Sequence, residues 1–309
     1  FFAMDNVNLK GKKILVTGGN GFLGRNFINK LVALKAEVHS FDILINLHNP
    51  RVENHQIDLT NETLLKEKVN AIQPHIVFHL AASLNRTRDF SKANNLFKTN
   101  LTSTINLLNA LENVSYENFI FVSTSEIYGG SLIQSPFKEY DDFVPASPYS
   151  LSKYCAEISV KTHSSIYAKN FTILRLFNFY GKNMPKSFFL PQLIEKLENN
   201  IDFDMTLGEQ KRDFISVNDV CQAMLLACSK KAYLQTFNVC SGEGKSLKTL
   251  ALEFKKLLNS NSRINFGAIP YRKNEVWDMT GDNSRIKDAL GWAPSVTIFD
   301  AYKRETDNH

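Results

Sequence analysis

The chain has 309 residues, of which 43% are hydrophobic and 22% are charged, and its net charge is +5. This length allows one large domain, or one domain with an added lobe. No apolar run approaches the roughly 18 residues that a membrane span needs, and no run of Lys and Arg suggests a nucleic-acid partner. We therefore expect a globular protein that acts on neither membranes nor nucleic acids.

The cysteines show no pattern of metal binding or disulfide formation. No CxxC motif and no Cys/His ligand spacing is present among Cys155, Cys221, Cys228 and Cys240. We expect free, buried thiols and no metal site. Such thiols are typical of a reducing compartment, so we expect a cytoplasmic protein.

The first 180 residues alternate strands with helices. Apolar runs predict buried strands, and helical spacing predicts helices. The predicted strands cover residues 13–16, 37–41, 76–80, 119–122 and 172–176, and the predicted helices cover 22–34, 96–111 and 148–167. This alternation predicts an α/β fold with a doubly wound parallel sheet, whose ligands bind beyond the carboxyl ends of the strands.

After about residue 180 the pattern changes, because prolines and glycines divide the chain into shorter elements. We expect a domain over residues 1–180 and a smaller α/β lobe over residues 181–309, lying over the carboxyl edge of the sheet. Some crossing of the chain between the two parts is also expected.

Three glycines follow the first predicted strand and open the first helix, in the stretch TGGNGFLG at 17–24. Gly18 permits a tight turn, Gly21 lets the backbone approach a pyrophosphate, and Gly24 lets the helix pack closely on the strand. The helix N-terminus then faces the negative charge. This context predicts a Rossmann domain that binds a dinucleotide. The alternative is an ordinary glycine-rich turn.

Asp42, at the end of the second strand, indicates which dinucleotide binds. Its carboxylate can accept hydrogen bonds from the adenosine ribose and would repel a 2′-phosphate, which favours NAD over NADP. The alternative is a carboxylate that only forms a turn. Asp58 and Leu59 can hold the adenine edge. The remaining residues that we assign to NAD are Asn20, Phe22, Leu23, Leu80, Ala81, Ala82 and Asn100.

Tyr149 and Lys153 lie one turn apart on a predicted helix, so both side chains share one face. Lys153 can lower the pKa of the Tyr149 phenol and can hold the nicotinamide ribose. The phenol can then exchange a proton while hydride moves to or from NAD. Thr124, at the end of the fourth predicted strand, can bond the same substrate oxygen. A surface helix pair without a chemical role is the alternative.

Over nearly its whole length the chain resembles the extended short-chain dehydrogenases/reductases that act on nucleotide sugars. The likeness rests on TGGNGFLG (17–24), Asp42, Asp58-Leu59, HLAA (79–82), STSEIYG (123–129), SPYSLSK (147–153), LRLFNFYG (174–181), KRDFISVND (211–219) and DNSRIKDALGWAP (282–294). It implies that Thr124, Tyr149 and Lys153 form a catalytic triad. It also implies a nucleotide-diphosphate sugar as substrate and a homodimer formed through long helices, although apolar positions of helix 148–167 can equally be core.

The resemblance also indicates residues that bind the substrate. Asn178 looks like the residue that touches the sugar-nucleotide phosphate, and Arg212 and Arg272 look like ligands of the diphosphate, which the planar guanidinium suits. Ser83 is assigned to the substrate as well. For Arg212 the alternative is a salt bridge to Asp213 or a neighbour.

Glu126 bears on the type of reaction. Glu126 lies two positions after Thr124 and is similar to a glutamate found at this place in 4,6-dehydratases and in uronic-acid decarboxylases of the family. In 4,6-dehydratases this glutamate removes the C5 proton. Dehydratases usually have Asp-Glu after the Thr, whereas this chain has Ser125-Glu126, as GDP-mannose dehydratases do. The alternative is a polar residue at the cleft mouth without a chemical role.

The stretches at 208–220 and 264–275 resemble CDP-abequose and CDP-paratose synthases instead, which are NADPH-consuming 4-ketoreductases. Our leading hypothesis is an NAD-dependent 4-epimerase or 4,6-dehydratase of a nucleotide-diphosphate sugar. The alternatives are a 4-keto-6-deoxy sugar reductase and a UDP-glucuronate decarboxylase. A dinucleotide-sensing protein without catalysis is disfavoured because both Tyr149 and Lys153 are present.

Overall fold

The computed structural model describes residues 7–45, 49–129 and 135–306. Its centre is a parallel sheet of seven strands: β1 (Lys13–Thr17), β2 (Glu37–Asp42), β3 (Val52–Gln56), β4 (Ile76–His79), β5 (Asn118–Thr124), β6 (Phe171–Leu176) and β10 (Gln235–Val239). Their order across the sheet is β10-β6-β5-β4-β1-β2-β3. The predicted α/β fold with a doubly wound parallel sheet is confirmed.

The strand order reverses between β1 and β4, which are neighbours in the sheet. The chain proceeds outward from β1 to β2 and β3 on one side, and from β4 to β5 and β6 on the other. A crevice forms at such a switch point, outside the carboxyl ends of the strands. The glycine turn after β1 and the residues that end β5 therefore lie at the same edge of the sheet.

Alternate residues of β1 face two separate cores. Ile14 and Val16 pack with α1 (Phe22–Ala33) and α7 (Val217–Leu226), whereas Leu15 packs on the opposite face. The helices of that opposite face are α2 (Glu62–Ile72), α4 (Ser103–Ala110) and α5 (Pro148–Tyr167). A parallel sheet covered on both faces needs apolar residues on both, which is why its strands read as continuous apolar runs.

Two elements differ from the sequence-based expectation. The edge strand β3 was not predicted, because Val52 is its one buried residue and its other side chains are polar. The predicted helix over 96–111 is divided into α3 (Ala93–Leu96), a π-helical segment (Phe97–Thr102) and α4. The π-helical segment holds the buried Asn100.

The second half of the chain builds a smaller α/β part. Its strands are β7 (Asn178–Tyr180), β9 (Lys211–Ser216), β11 (Gly244–Ser246) and β13 (Asp278–Met279), with a separate pair β8 (Phe203–Met205) and β12 (Ile264–Phe266). Its helices are α6 (Phe189–Glu198), α8 (Leu247–Leu257), α9 (Ser284–Leu290) and α10 (Ile298–Thr306). A third apolar core joins β8, α6 and α8.

Two elements of the second half return to the large sheet. Strand β10 pairs with β6 as the seventh strand, and α7 packs on the same face as α1. The division at residue 180 stays a prediction, and the structure shows how the chain crosses it. Within the described ranges, no helix has both the length and the hydropathy that a membrane crossing requires.

A buried ion pair joins β6 to α5. Arg175 Nη2 lies 2.8 Å from Glu157 Oε2, and Arg175 Nε donates to Glu157 Oε1 at 3.1 Å. Arg175 Nη1 also donates to the Tyr128 hydroxyl and to the Glu139 carbonyl, both at 2.8 Å. The Tyr128 hydroxyl in turn donates to Asn238 Oδ1 of β10 at 2.8 Å. This network of buried side chains links β6, α5 and β10.

Replacing Arg175 with Met should lower the free energy of unfolding by about 3–5 kcal/mol, because the carboxylate of Glu157 would stay buried without its partner. The measurement is urea denaturation followed by circular dichroism. Lys186→Met is the control, because Lys186 pairs with Glu195 at the surface, with side chains 83% and 52% exposed. Its loss should stay below about 1 kcal/mol. Equal losses for the two variants would contradict the prediction.

Candidate active site

The glycine turn packs backbone directly against backbone. Gly18 has a φ of +72°, and a Cβ there would lie 2.8 Å from the amide nitrogen of Ala81. A Cβ at Gly24 would overlap the carbonyl oxygen of Gly18. Larger residues at either position would therefore push β1, β4 and α1 apart. The backbone that follows β4 at Leu80 and Ala81 therefore lies directly against Gly18.

The turn fits the pyrophosphate of a dinucleotide. Gly21 is the N-cap of α1 and offers no side chain to the first N–H groups of the helix. Those groups are left for an external acceptor, and the helix dipole favours an anion there. NAD would therefore be held at the carboxyl edge of β1 by the backbone of this turn.

Asp42 ends β2 beside the same turn. Its Oδ2 accepts a hydrogen bond from the Asn20 N–H at 2.9 Å, and its Oδ1 accepts one from the Leu44 N–H at 3.3 Å. The carboxylate therefore forms a turn, as one interpretation predicted. It also stands where the adenosine ribose would lie if the pyrophosphate occupied the glycine turn. Its role toward the ribose stays a prediction.

The side chains of several residues assigned to NAD make contacts within the protein. Leu23 and Leu59 are buried in the two cores, so only their backbones can face a ligand. Phe22 stacks on Phe179 of β7 with ring centroids 5.5 Å apart. Asp58 Oδ1 accepts hydrogen bonds from the N–H and the hydroxyl of Thr60, both at 2.8 Å.

Asn100 is buried and fastens the segment after β4 to the helix α5. Its Oδ1 accepts from the Ser83 N–H at 2.7 Å, and its Nδ2 donates to the Ser83 carbonyl and to Ser152 Oγ. Ser83 is thereby held beside the helix that carries Tyr149. The contacts of Asn100 support a positioning task, and direct contact with NAD stays a prediction.

Tyr149 and Lys153 are both buried on α5. The helix begins sharply, because Ser147 and Ser150 form a reciprocal capping box and Pro148 occupies the first turn. Thr124, the last residue of β5, lies close enough to Tyr149 for its side chain to lower the pKa of the phenol. The three residues of the predicted triad therefore meet at the carboxyl edge of the sheet.

The ionisation of this pair differs from our expectation. Burial raises the pKa of Tyr149 to about 12, and the charge of Glu126 adds to this effect, while Arg86 and the hydrogen bond with Thr124 oppose it. Burial also lowers the pKa of Lys153 to about 7, against the opposing charge of Glu157. Arg86 is thus a cation that lowers the phenol pKa here, and the effect of Lys153 on Tyr149 stays a prediction.

A cavity of about 120 Å³ lies next to the triad and is lined mainly by polar residues. It brings together Glu126, Asn178, Arg212 and Arg272, which the sequence had placed in one site. The same cavity contains residues that the sequence analysis did not assign: Arg86, Arg88, Ser125, Gly129, Ala146, Glu275, Val276 and Met279. Ser83 is not among its lining residues.

The arginines of the cavity are held by specific partners. Arg212 Nη2 lies 2.6 Å from Glu275 Oε1, and Arg212 Nη1 donates to the Val276 carbonyl at 2.7 Å. Arg212 therefore does pair with a carboxylate, and the partner is Glu275. Asp213 faces elsewhere and accepts from the Ser241 and Gly242 N–H groups.

Arg86 is the most informative residue that the sequence analysis missed. Its Nε lies 2.6 Å from Glu126 Oε1, and its guanidinium lies 5.9 Å from the centre of the Tyr149 ring. Arg88 donates to the Ala146 carbonyl at 2.5 Å, which ties the same segment to the start of α5. A signal was present in the sequence, because Arg-Thr-Arg follows β4 at the predicted ligand edge.

Comparison with known proteins identifies the family. The model of the NAD dependent epimerase/dehydratase family matches residues 14–240. The chain belongs to this family. It is therefore an enzyme with NAD as its cofactor, and the interpretation as a sensor without catalysis is set aside. The resemblance to extended short-chain dehydrogenases/reductases is confirmed.

Relatives cover nearly the whole chain. GDP-6-deoxy-D-talose 4-dehydrogenase of Aggregatibacter actinomycetemcomitans is 30% identical over 90% of this chain and 91% of its own length. CDP-abequose synthase of Salmonella muenchen is 27% identical over 95% and 96%. Mouse dTDP-D-glucose 4,6-dehydratase also matches. The crystal structure of UDP-glucose 4-epimerase from Thermotoga maritima with UDP-glucose has a TM-score of 0.88, 26% identity and coverage of 95% and 99%.

Replacing Asp42 with Ala should weaken NAD binding by about tenfold to a hundredfold, because hydrogen bonds from a ribose to a charged acceptor contribute about 1.5–3 kcal/mol. Binding of NADP should weaken less or improve, since the repulsion of the 2′-phosphate is removed. Titrations of both dinucleotides by protein fluorescence give the ratio of the dissociation constants. Asp288→Ala, on the exposed side of α9, is the control. An unchanged NAD/NADP ratio would argue against this role.

Proposed function

We propose that this enzyme oxidises C4 of a nucleotide-diphosphate sugar as a 4-epimerase or 4,6-dehydratase and retains its NAD between turnovers. The observation that carries the proposal is that Tyr149 and Thr124 lie beside a cavity that four arginines line, one of which, Arg86, lies 5.9 Å from the centre of the Tyr149 ring. A group that can transfer protons thus adjoins a cationic wall at the carboxyl edge of the sheet.

The charge of the cavity suits a diphosphate. Arg86, Arg88, Arg212 and Arg272 contribute four positive charges, while Glu126 and Glu275 contribute two negative charges. The surplus of two matches the charge of a diphosphate that links a nucleoside to a sugar. Arginine is suited to this task because its fork binds phosphate oxygens bidentately. Asn178, at the start of β7, adds an amide to the same wall.

In its phenolate form, Tyr149 would take the proton of the C4 hydroxyl, while Thr124 would hold the same oxygen. Because burial raises the pKa of Tyr149 to about 12, the phenol must first lose its own proton to solvent, and the phenolate requires a nearby positive charge. Lys153 lies one helical turn away and Arg86 faces the Tyr149 ring, so both can supply that charge. NAD held by the glycine turn would accept the hydride that leaves C4.

Glu126 favours a dehydratase as the specific reaction. Its carboxylate lines the cavity and acts electrostatically on Tyr149, and its N–H is anchored to Thr124 Oγ1 at 3.2 Å. A C5 proton becomes acidic once C4 is a ketone, and a carboxylate in this position can remove it. Arg86 holds Glu126 in place from the opposite side.

A 4-ketoreductase is the second candidate, supported by the likeness to CDP-abequose synthase over 95% of the chain. Such an enzyme would consume a reduced dinucleotide in every turnover. The dinucleotide released on denaturing the purified enzyme distinguishes the candidates. Near-stoichiometric NAD supports the proposal. An enzyme free of nucleotide that oxidises NADPH in the presence of a 4-keto-6-deoxy sugar nucleotide would overturn it.

Replacing Tyr149 with Phe should lower kcat by about 10²–10⁴-fold, which is the usual contribution of a general acid or base. NAD content should stay near that of the unchanged enzyme, because only one hydroxyl is removed. Turnover is followed by mass spectrometry of products from a panel of UDP-, dTDP-, GDP- and CDP-sugars. Tyr154→Phe on the same helix is the control and should leave kcat unchanged. Full activity of Tyr149→Phe would remove this residue from the mechanism.

Replacing Glu126 with Gln should abolish loss of water and spare oxidation at C4, because the amide cannot accept the C5 proton. The enzyme should then exchange label at C4 with NAD while releasing no 4-keto-6-deoxy product. Mass spectrometry with substrate deuterated at C4 measures both events. Glu195→Gln, on the surface of α6, is the control. Unchanged product formation would show that Glu126 has no part in proton removal.

A further inference from the structure

A cluster of metal-ligand side chains lies outside the active site, at the edge of the large sheet. His39 of β2 and Glu53 and His55 of β3 project from the same face of the sheet, since His39 is in register with Glu53 and Phe41 with His55. The ligand atoms of His39, Glu53 and His55 all lie within 4.8 Å of one another. We call this group the His39 cluster.

The two imidazole nitrogens of the His39 cluster are about as far apart as neighbouring ligands of a tetrahedral metal ion, and each lies near a different oxygen of the Glu53 carboxylate. His39 Nδ1 lies 3.4 Å from His55 Nε2 and 3.3 Å from Glu53 Oε2, and His55 Nε2 lies 3.4 Å from Glu53 Oε1. Zinc binds His nitrogen and carboxylate oxygen at about 2.0–2.2 Å, so neighbouring ligand atoms of a tetrahedral site are about 3.4 Å apart. Two imidazoles and one carboxylate leave a fourth position for water.

A second carboxylate orients the first ligand. Glu37 Oε1 lies 3.2 Å from His39 Nε2, on the side of the ring away from the cluster. With the proton on Nε2, this pair leaves the lone pair of Nδ1 directed at His55 and Glu53. Metal-bound histidines commonly donate their other N–H to a carboxylate in this way. If the proton of His55 is on its Nδ1, the inner atoms of the three residues are all acceptors, and a shared cation would satisfy them.

The fold holds the cluster in place and leaves it open to a metal. His39 is buried and stacks on His55 with ring centroids 5.7 Å apart, and His55 contacts the edge of Phe41 at 5.2 Å. The Glu53 side chain is 64% exposed, which gives an ion a path from solvent. Glu53 within the cluster and Glu37 beside it contribute two negative charges. Lys68 of α2 contributes a positive charge that acts on His55.

We propose that His39, Glu53 and His55 bind one zinc ion, with a water as the fourth ligand, and so fasten the edge strand β3 to β2. The expectation that the chain has no metal site rested on the spacing of its cysteines. This cluster escapes such a test because its ligands come from two strands that only the folded sheet brings together. The proposal is independent of the reaction at C4.

The test measures zinc binding by the full chain without an affinity tag, after dialysis against a chelator. Competition with a chromogenic chelator should give one zinc per chain, and thermal denaturation should show a higher Tm with zinc than without it. His55→Gln and Glu53→Gln should each lower the zinc affinity at least tenfold and abolish the rise in Tm. Glu37→Gln should lower the affinity about tenfold to a hundredfold, because it removes the partner of His39.

His163→Gln on α5 and Glu67→Gln on α2 are the controls, and both should bind zinc as the unchanged chain does. Because Glu53 is exposed, Glu53→Gln tests the proposal even where a histidine variant does not fold. Absence of zinc binding, or equal affinity in the cluster variants and the controls, would overturn the proposal. Those results would mean that His39 and His55 form a hydrogen-bonded pair only.

Discussion

The buried pair between Arg175 and Glu157 is the interaction on which the arrangement of the active site depends. It fixes α5 to β6, and α5 carries Tyr149 and Lys153. The other donor of Arg175 reaches Tyr128, at the end of the short turn that presents Glu126. A buried pair of this kind contributes little net stability but makes any other placement of the helix costly. The positions of Tyr149, Lys153 and Glu126 relative to the sheet therefore depend on this buried network.

Two kinds of environment meet at the carboxyl edge of the sheet. Tyr149 and Lys153 are buried in the protein interior. Desolvation raises the pKa of Tyr149 and lowers that of Lys153, so both groups favour their neutral forms. The adjoining cavity is cationic because Arg86, Arg88, Arg212 and Arg272 converge on it. Burial therefore favours the neutral phenol of Tyr149, and the nearby positive charge of Arg86 opposes this effect.

The elements that short stretches of sequence specify were predicted correctly. The glycine turn carries its signal in the glycine spacing. The strands β1, β2, β4, β5 and β6 carry theirs in apolar runs, and the helix α5 carries its signal in helical spacing. The edge strand β3 was not predicted, because a strand with one buried residue shows no periodic pattern of apolar residues. The π-helical segment escaped because the spacing of apolar residues around it suits an α-helix equally. Arg86 escaped because a loop residue has no periodicity.

The sequence by itself determined the parallel α/β fold and the glycine turn after β1, and it predicted the triad, because these depend on short motifs and on spacing along one element. Only the tertiary structure decided which charges surround Tyr149, that Glu275 is the partner of Arg212, and that β10 returns to complete the large sheet. It also decided that the ligand atoms of His39, Glu53 and His55 lie within 4.8 Å of one another at the edge of the sheet. Each of these contacts joins residues that are distant in the chain or lie on separate strands, and such proximity arises only when the sheet is assembled.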